Sequence, residues 1–227
     1  TTPELVIDLK RVPGYGQIDF DRTKGAVIGP AVTINQLLDH KELMAACPVL
    51  QQTGSQLASR QLRNRATVVG NIANASPCAD MAPALLCLEA RVVISSRDGS
   101  RTLPVREFFT GVKKTVLAPG ELVERIEIPA AGTGFAAGYK KLKRIKGHDL
   151  GIVGVALVRT PSAIRIAVSS AAPTPVLVPD QPATATAAQL KEAALKAISP
   201  IDDIRGTRDY RLFMVGEYIE RLLEEVR

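Results

Sequence analysis

Among the polar residues of this chain, Thr67-Val68-Val69-Gly70-Asn71 has the types and order suited to a phosphorylated ligand. A threonine hydroxyl, backbone N–H groups and an asparagine amide all donate to phosphate oxygens. A glycine among them lets the backbone lie close to a ligand or adopt positive φ. Asp80, nine residues beyond Asn71, has the chemistry to accept hydrogen bonds from ribose hydroxyls. The same spacing fits a tight loop between two helices, so on the residues alone both readings stand. A second concentration of chemistry is the run from Tyr139 to Lys146. There Lys140, Lys141, Lys143, Arg144 and Lys146 put five positive charges within seven positions. Read as a strand, it sends Lys140, Arg144 and Lys146 to one face and Lys141 and Lys143 to the other. Such a run is either a solvated edge strand or a positive face for phosphates or nucleic acid. No aromatic platform accompanies it, which weighs against single-stranded nucleic acid.

Other reactive side chains read more naturally as structural. Asp202-Asp203 fits a turn leading into a helix, where a carboxylate favours the positive helix end. His148-Asp149 falls in a turn between strands. The three cysteines, Cys47, Cys78 and Cys87, form no Cys-x-x-Cys pair; Cys78 and Cys87 are expected as small buried apolar groups. An odd count without such spacing argues against a disulfide framework, a zinc knuckle or an iron–sulfur cluster held by this chain. With only two histidines, His40 and His148, no metal site is expected. No serine elbow, Walker loop or His-Glu-x-x-His motif occurs.

These candidates sit in a chain of 227 residues that is 46% hydrophobic and 23% charged. That is an ordinary globular balance, long enough for one large or two small domains. No apolar run approaches the ~18 residues of a membrane helix. Lysine and arginine exceed aspartate and glutamate, 29 to 23, for a net charge of +6, which favours anionic partners without naming one. No basic-then-apolar leader is visible, and a reducing, cytoplasmic setting is the expectation.

The elements that must position these residues follow from periodicity and turn chemistry. Strands are expected over 5–9, 26–29, 91–96, 121–128, 136–145, 150–159 and 163–170. Helices are expected from Ile34 with Thr33 as N-cap, over 48–59, 81–89, a short one over 107–111, and then 186–198 and 207–226. Residues 60–80 show no sustained period. Asp98-Gly99 and Pro119-Gly120 are turns. Leu212, Val215, Ile219 and Leu222 form an apolar stripe on the last helix. A domain boundary is expected near 130–134.

Taken in register, several segments resemble one family. Gln61 to Asp80, Gln-Leu-Arg-Asn-Arg-Ala-Thr-Val-Val-Gly-Asn-Ile-Ala-Asn-Ala-Ser-Pro-Cys-Ala-Asp, is similar to the second flavin loop in the FAD-binding subunits of molybdenum hydroxylases, the xanthine and carbon monoxide dehydrogenase family. That loop usually reads Gln-Ile-Arg-Asn-x-Gly-Thr-Ile-Gly-Gly-Asn, then Ala-x-Pro-x-x-Asp. Ile28-Gly29 with Thr33, the Pro119 to Pro129 strand, Lys140 to Val153, and Pro200 to Gly206 with Tyr210-Arg211 agree as well, so the resemblance spans essentially the whole chain.

The resemblance implies an α+β fold with two domains. Residues 1–130 would be the FAD-binding domain and 135–227 a three-stranded antiparallel sheet with helices. It implies FAD as cofactor, with Thr67, Val68, Val69, Gly70 and Asn71 around the pyrophosphate and Asp80 on the ribose or adenine side. Leu57, Asn74, Val123 and Lys140 fall where the family contacts FAD. Tyr139 would lie near the isoalloxazine, and Arg144 and Asp149 on the loop lining the approach to it. A molybdopterin-binding large subunit and a [2Fe-2S] small subunit are the implied partners, with electrons passing through FAD to NAD+, oxygen or a quinone. No catalytic acid or base is required of this chain.

Two departures from the pattern stand out. Val69-Gly70 replaces Gly-Gly. The family's first phosphate loop, of the Ala-Gly-Gly-Thr-Asp-Leu kind, precedes the point where Thr1 falls, so an N-terminal subdomain is expected to be missing. The cysteines do not match the [4Fe-4S] insert of 4-hydroxybenzoyl-CoA reductase. The rival readings are a stand-alone flavin oxidoreductase and a basic nucleic-acid or assembly module without enzymatic activity.

Overall fold

A computed structural model describes residues 4–132 and 135–226. Strands β1 (Ile18–Asp21) and β2 (Gly25–Ile28) open the chain as a hairpin. Six short helices follow: α1 (Ile34–Asp39), α2 (Lys41–Ala46), α3 (Pro48–Gln56), α4 (Arg60–Arg63), α5 (Val68–Ala73) and α6 (Met81–Cys87). Then come the hairpin β3 (Arg91–Ser96) and β4 (Gly99–Pro104), the small pair β5 (Phe109–Gly111) and β6 (Lys114–Thr115), and β7 (Leu122–Ile128). The first sheet is antiparallel in the order β1-β2-β7-β3-β4. The chain next builds β8 (Ala136–Leu142), β9 (Val153–Arg159) and β10 (Ala163–Ser169), with two-residue strands β11 (Val176–Leu177) and β12 (Gln181–Pro182) added to β10. It ends in α7 (Ala187–Ala197) and α8 (Arg208–Glu225).

The expected three-stranded antiparallel sheet is therefore β8, β9 and β10, and the overall class is α+β. Its central strand, Val153-Gly-Val-Ala-Leu-Val158, is buried at every position because both faces of the sheet are covered. Alternation assigns the faces. Ala156 and Val158 join the core built on α3, α6 and the first sheet, whereas Val155 and Leu157 join a second core with α7 and α8. The stripe on α8 is confirmed in Val215, Ile219 and Leu222, all fully buried. Thr33 caps α1 with a full capping box, Gln36 Oε1 accepting in return from the Thr33 amide at 2.8 Å.

Several expectations are corrected. Residues 5–9 form no strand: Leu9–Arg11 is a single 3-10 turn, and Leu5, Val6 and Ile7 meet no described strand edge and stay exposed. The helix expected over 107–111 is a 3-10 turn at Val105–Glu107 followed by β5, since Phe109 pairs with Thr115. Helix α3 stops at Gln56. Leu57 turns extended and Ala58 takes φ +43°, so neither extends the helical face read with Leu50. The segment 60–80, without a period, holds two helices of one to two turns, too short to display one. β8 ends at Leu142 and β9 begins at Val153, so the strand alternation assigned to Arg144 and Lys146 does not exist. The expected boundary at 130–134 includes Thr133 and Gly134, which lie outside the described residues.

Candidate cofactor site

Thr67 begins α5 as its N-cap, its hydroxyl accepting from the Gly70 amide at 2.8 Å. An isolated antiparallel bridge pairs Thr67 with Thr33, the cap of α1. Two helix starts thus meet at one place, each carrying about half a positive charge. The bridge consumes one amide from each helix: Ile34 N–H donates to Ala66 O at 2.9 Å and Val68 N–H to Val32 O at 3.1 Å. The caps consume another each, at Gln36 and Gly70. Among the described residues, the Asn35 and Val69 amides make no such bond. Gly70 is helical rather than left-handed; a Cβ there would lie 2.8 Å from Thr67 Oγ1 and push the cap aside.

The Arg63-Asn64 part of the motif braces this place instead of facing a ligand. Arg63 Nη1 donates to the carbonyls of Ser55 (3.0 Å) and Leu57 (2.9 Å), and Arg63 Nε to Asn35 Oδ1 at 3.2 Å. Asn35 Nδ2 in turn donates to Asn64 Oδ1 at 2.5 Å. Leu57, expected against FAD, is buried with its carbonyl held in this way.

Asn71 and Asp80 divide their work. Asn71 Oδ1 accepts from the Met81 amide at 3.1 Å and so caps α6, while Asp80, although it occupies the N-cap position, makes no side-chain cap bond. Its carboxylate pairs with Lys141 Nζ at 2.8 Å, and Lys141 also reaches Gln56 O at 3.3 Å. The Lys141 side chain is 1% exposed and that of Asp80 13%. Burial pushes the Asp80 carboxyl above its ordinary range, opposed by the Lys141 charge. Lys141 is the residue that sequence reasoning passed over. Lys140, one position away on β8, was the lysine expected at FAD. It points to the other face and pairs with Glu225 of α8 at 2.6 Å. Strand parity within Tyr139-Lys-Lys puts the two lysines on opposite faces, but which face meets Asp80 is set by the packing of α6.

The remaining expected residues are placed as follows. Val123 is buried on β7 opposite Ile94. Tyr139 is 5% exposed within the first core, its amide donating to Gln52 Oε1 at 2.6 Å and its buried hydroxyl without a hydrogen-bond partner among the described residues. Asn74 ends α5 and accepts from Lys113 Nζ at 3.0 Å. Arg144 and Asp149 pair at 3.3 Å and close the 143–150 loop, which holds the Asp149 carboxyl below its usual range. The basic run is thus largely engaged inside the molecule: Lys140, Lys141 and Arg144 with carboxylates, Lys143 with Gly147 O. That leaves the nucleic-acid reading little free charge. Among the described residues, no group of three or more His, Cys, Asp or Glu is arranged to hold a metal ion.

The Asn35 and Val69 amides, the Thr67 hydroxyl and the Asp80 carboxylate suit a dinucleotide with an anionic middle and hydroxylated ends. The comparison with known proteins names that ligand class. The profile of the FAD binding domain in molybdopterin dehydrogenase matches residues 1–131. The carbon monoxide dehydrogenase medium chain of Hydrogenophaga pseudoflava is 34% identical over 236 residues, covering 97% of this chain and 81% of that protein. The nicotine 6-hydroxylase medium subunit of Paenarthrobacter nicotinovorans is 31% identical over 240 residues, covering 98% of this chain and 82% of that protein. Among solved structures, the cyanide-inactivated form of a Cu,Mo-CO dehydrogenase superposes with a TM-score of 0.92 at 30% identity, covering 100% of this chain and 83% of its counterpart. The chain belongs to the FAD-binding medium subunits of the molybdenum hydroxylase family. It is accordingly an oxidoreductase subunit whose cofactor is FAD.

Proposed function

We propose that this chain is the electron-relay subunit of a molybdenum hydroxylase complex, with a molybdopterin-binding large subunit and a [2Fe-2S] small subunit as its partners. When bound, FAD would supply the redox chemistry, the transfer of electrons from the iron–sulfur clusters of the partner subunit to NAD+, oxygen or a quinone. The chain's own residues bind and orient it. The N-termini of α1 and α5, with Thr67 and the amide of Val69, take the pyrophosphate beside Gly70 and Asn71. Asp80, held in place by Lys141, takes sugar hydroxyls, while Leu57, Asn74 and Val123 contribute contacts around it. Tyr139 and the Arg144–Asp149 loop shape the side toward the isoalloxazine. No residue need act as a catalytic acid or base. The division into 1–130 and 135–227 belongs to this reading, as does a cytoplasmic location, which the three free cysteines favour.

The observation that carries the proposal is the meeting of two capped helix starts at the Thr33–Thr67 bridge. Titration of the purified chain with FAD, followed by flavin fluorescence, tests it. Wild type should bind with visible flavin absorption, and Thr67→Ala and Asp80→Ala, checked for folding by circular dichroism, should each weaken binding about tenfold, the equivalent of one lost charge-assisted hydrogen bond. Unaltered affinity in both variants would remove the pyrophosphate and ribose from these residues.

A further inference from the structure

A cavity of about 620 Å³ opens between the 74–78 loop, the β5–β6 turn and the segment from Ser199 to Arg211. Its walls include exposed Val112, Leu150 and Ile201, and its charged lining is Lys113, Arg205 and Arg211 against Asp203 alone. Cys78 lines the same space, and Arg205 Nη1 donates to its sulfur at 3.2 Å. The other thiols are poorly placed for chemistry. Cys47 and Cys87 are buried, and burial pushes Cys47 up to about 11 and Cys87 higher still. Among the described residues, two buried polar atoms of side chains lining the cavity lack partners. Ser170 is 6% exposed with an unpaired hydroxyl, and Arg211 is 2% exposed with an unpaired Nε. The Ser170 amide donates to Pro77 O at 2.8 Å, which seats this serine against the Cys78 loop.

We propose that Cys78 is a modification site: it forms reversible mixed disulfides with small disulfides that carry anionic groups, which the cavity binds. Thiolates are the reacting species in disulfide exchange, and the Arg205 guanidinium against the sulfur, with Lys113 on the same cavity, favours the approach of an anionic reagent. The Cys78 thiolate attacks one sulfur of the small disulfide. A Cys78–S–S bond forms, the reagent's S–S bond breaks, and one half leaves as thiolate; the cysteine proton goes to water. Cys78 is oxidised and the released half is reduced. The adduct occupies the cavity, with its anionic group toward Lys113 and Arg205.

The experiment uses the full chain, folded and with FAD present, and follows thiol release from an anionic aromatic disulfide, dithiobis(nitrobenzoate), and a neutral one, dithiodipyridine. One thiol per chain should react, and Cys78→Ser should abolish it. Arg205→Gln and, separately, Lys113→Gln should slow the anionic reagent by up to about tenfold more than the neutral one, with Arg205→Lys restoring part of the rate. Glutathione disulfide should then give a single adduct on Cys78 by mass spectrometry, removed by dithiothreitol. Lys113 lies outside the Asp203 ion pairs, so its variant keeps the test sound if Arg205→Gln perturbs folding. Reaction tracing to Cys47 or Cys87, a Cys78 no faster than free cysteine, or equal slowing of both reagents would overturn the proposal.

Discussion

Two neighbouring lysines on β8 illustrate how much a single position changes. Lys141 and Asp80 form a pair shut away from water, whereas the Glu225 side chain facing Lys140 is 55% exposed. Removing one member of a buried pair leaves a charge without compensation, at about 3 kcal/mol, while an exposed pair contributes under about 1 kcal/mol. In urea unfolding, Asp80→Asn is therefore expected to be the costly substitution and Lys140→Ala nearly neutral; equal effects would mean that the Asp80–Lys141 pair is not buried in solution. Asp203 gives a prediction in pH. Burial works against its charge, but hydrogen bonds from Arg205 and Arg211 prevail and hold its carboxyl down to about 2. Because the folded value lies below the unfolded one, the stabilisation is present above about pH 4 and is lost as pH falls from there toward 2. Water screening at this partly open carboxylate reduces its size to roughly 1 kcal/mol. Acid titration of stability should show that loss in wild type and a flatter profile in Asp203→Asn.

At the level of elements, short helices are set by their ends more than by their length. α5 and α6 have six and seven residues, below the length at which a helix sustains itself, so their caps and packing decide where they lie. Asn71 capping α6 is what leaves Asp80 free for Lys141. The β2–β7 pairing depends on a glycine in the same way. Gly25 has φ +100°, and a Cβ there would overlap the carbonyl oxygen of Ile128 on β7. Gly25→Ala is expected to lower stability by about 3 kcal/mol, through left-handed strain and a displaced strand. A thermal midpoint within about 2 °C of wild type would contradict the register of Ala26 with Ile128.

Over the whole molecule the two sheets share one apolar interior. Tyr139, Ala156, Val158 and Ala167, all from the second sheet, are buried in the core of the first, and Cys87 Sγ of α6 reaches the carbonyls of Ala156 (3.6 Å) and Arg165 (3.7 Å). Parts joined by a continuous apolar contact melt together. Calorimetry should show one transition; two well-separated transitions would mean that the 135–227 part keeps its structure without the first core. The buried clasp of Arg211 on Ile152 O, Ser170 O and Asp203 serves the same unity, tying the start of α8 to the open end of the β9–β10 pair. Arg211→Met is expected to cost about 3 kcal/mol, since it strands the carbonyls that the guanidinium satisfies.

Signals carried within a few residues were legible in the sequence. The Thr33 cap, the Asp98-Gly99 hairpin, the α8 stripe, the β8–β10 meander and the Thr67-to-Asp80 motif each depend on neighbours in the chain, so residue order was enough. What failed depended on distant partners. The strand read at 5–9 meets no described edge, Phe109 went to β5 because Thr115 was there to pair, and the burial of Arg211 depends on acceptors that three separate segments turn toward it. The choice between Lys140 and Lys141 also belonged to the tertiary structure. Parity puts the two on opposite faces, but only the packing of α6 against one face and α8 against the other decides which lysine meets Asp80 and which meets Glu225.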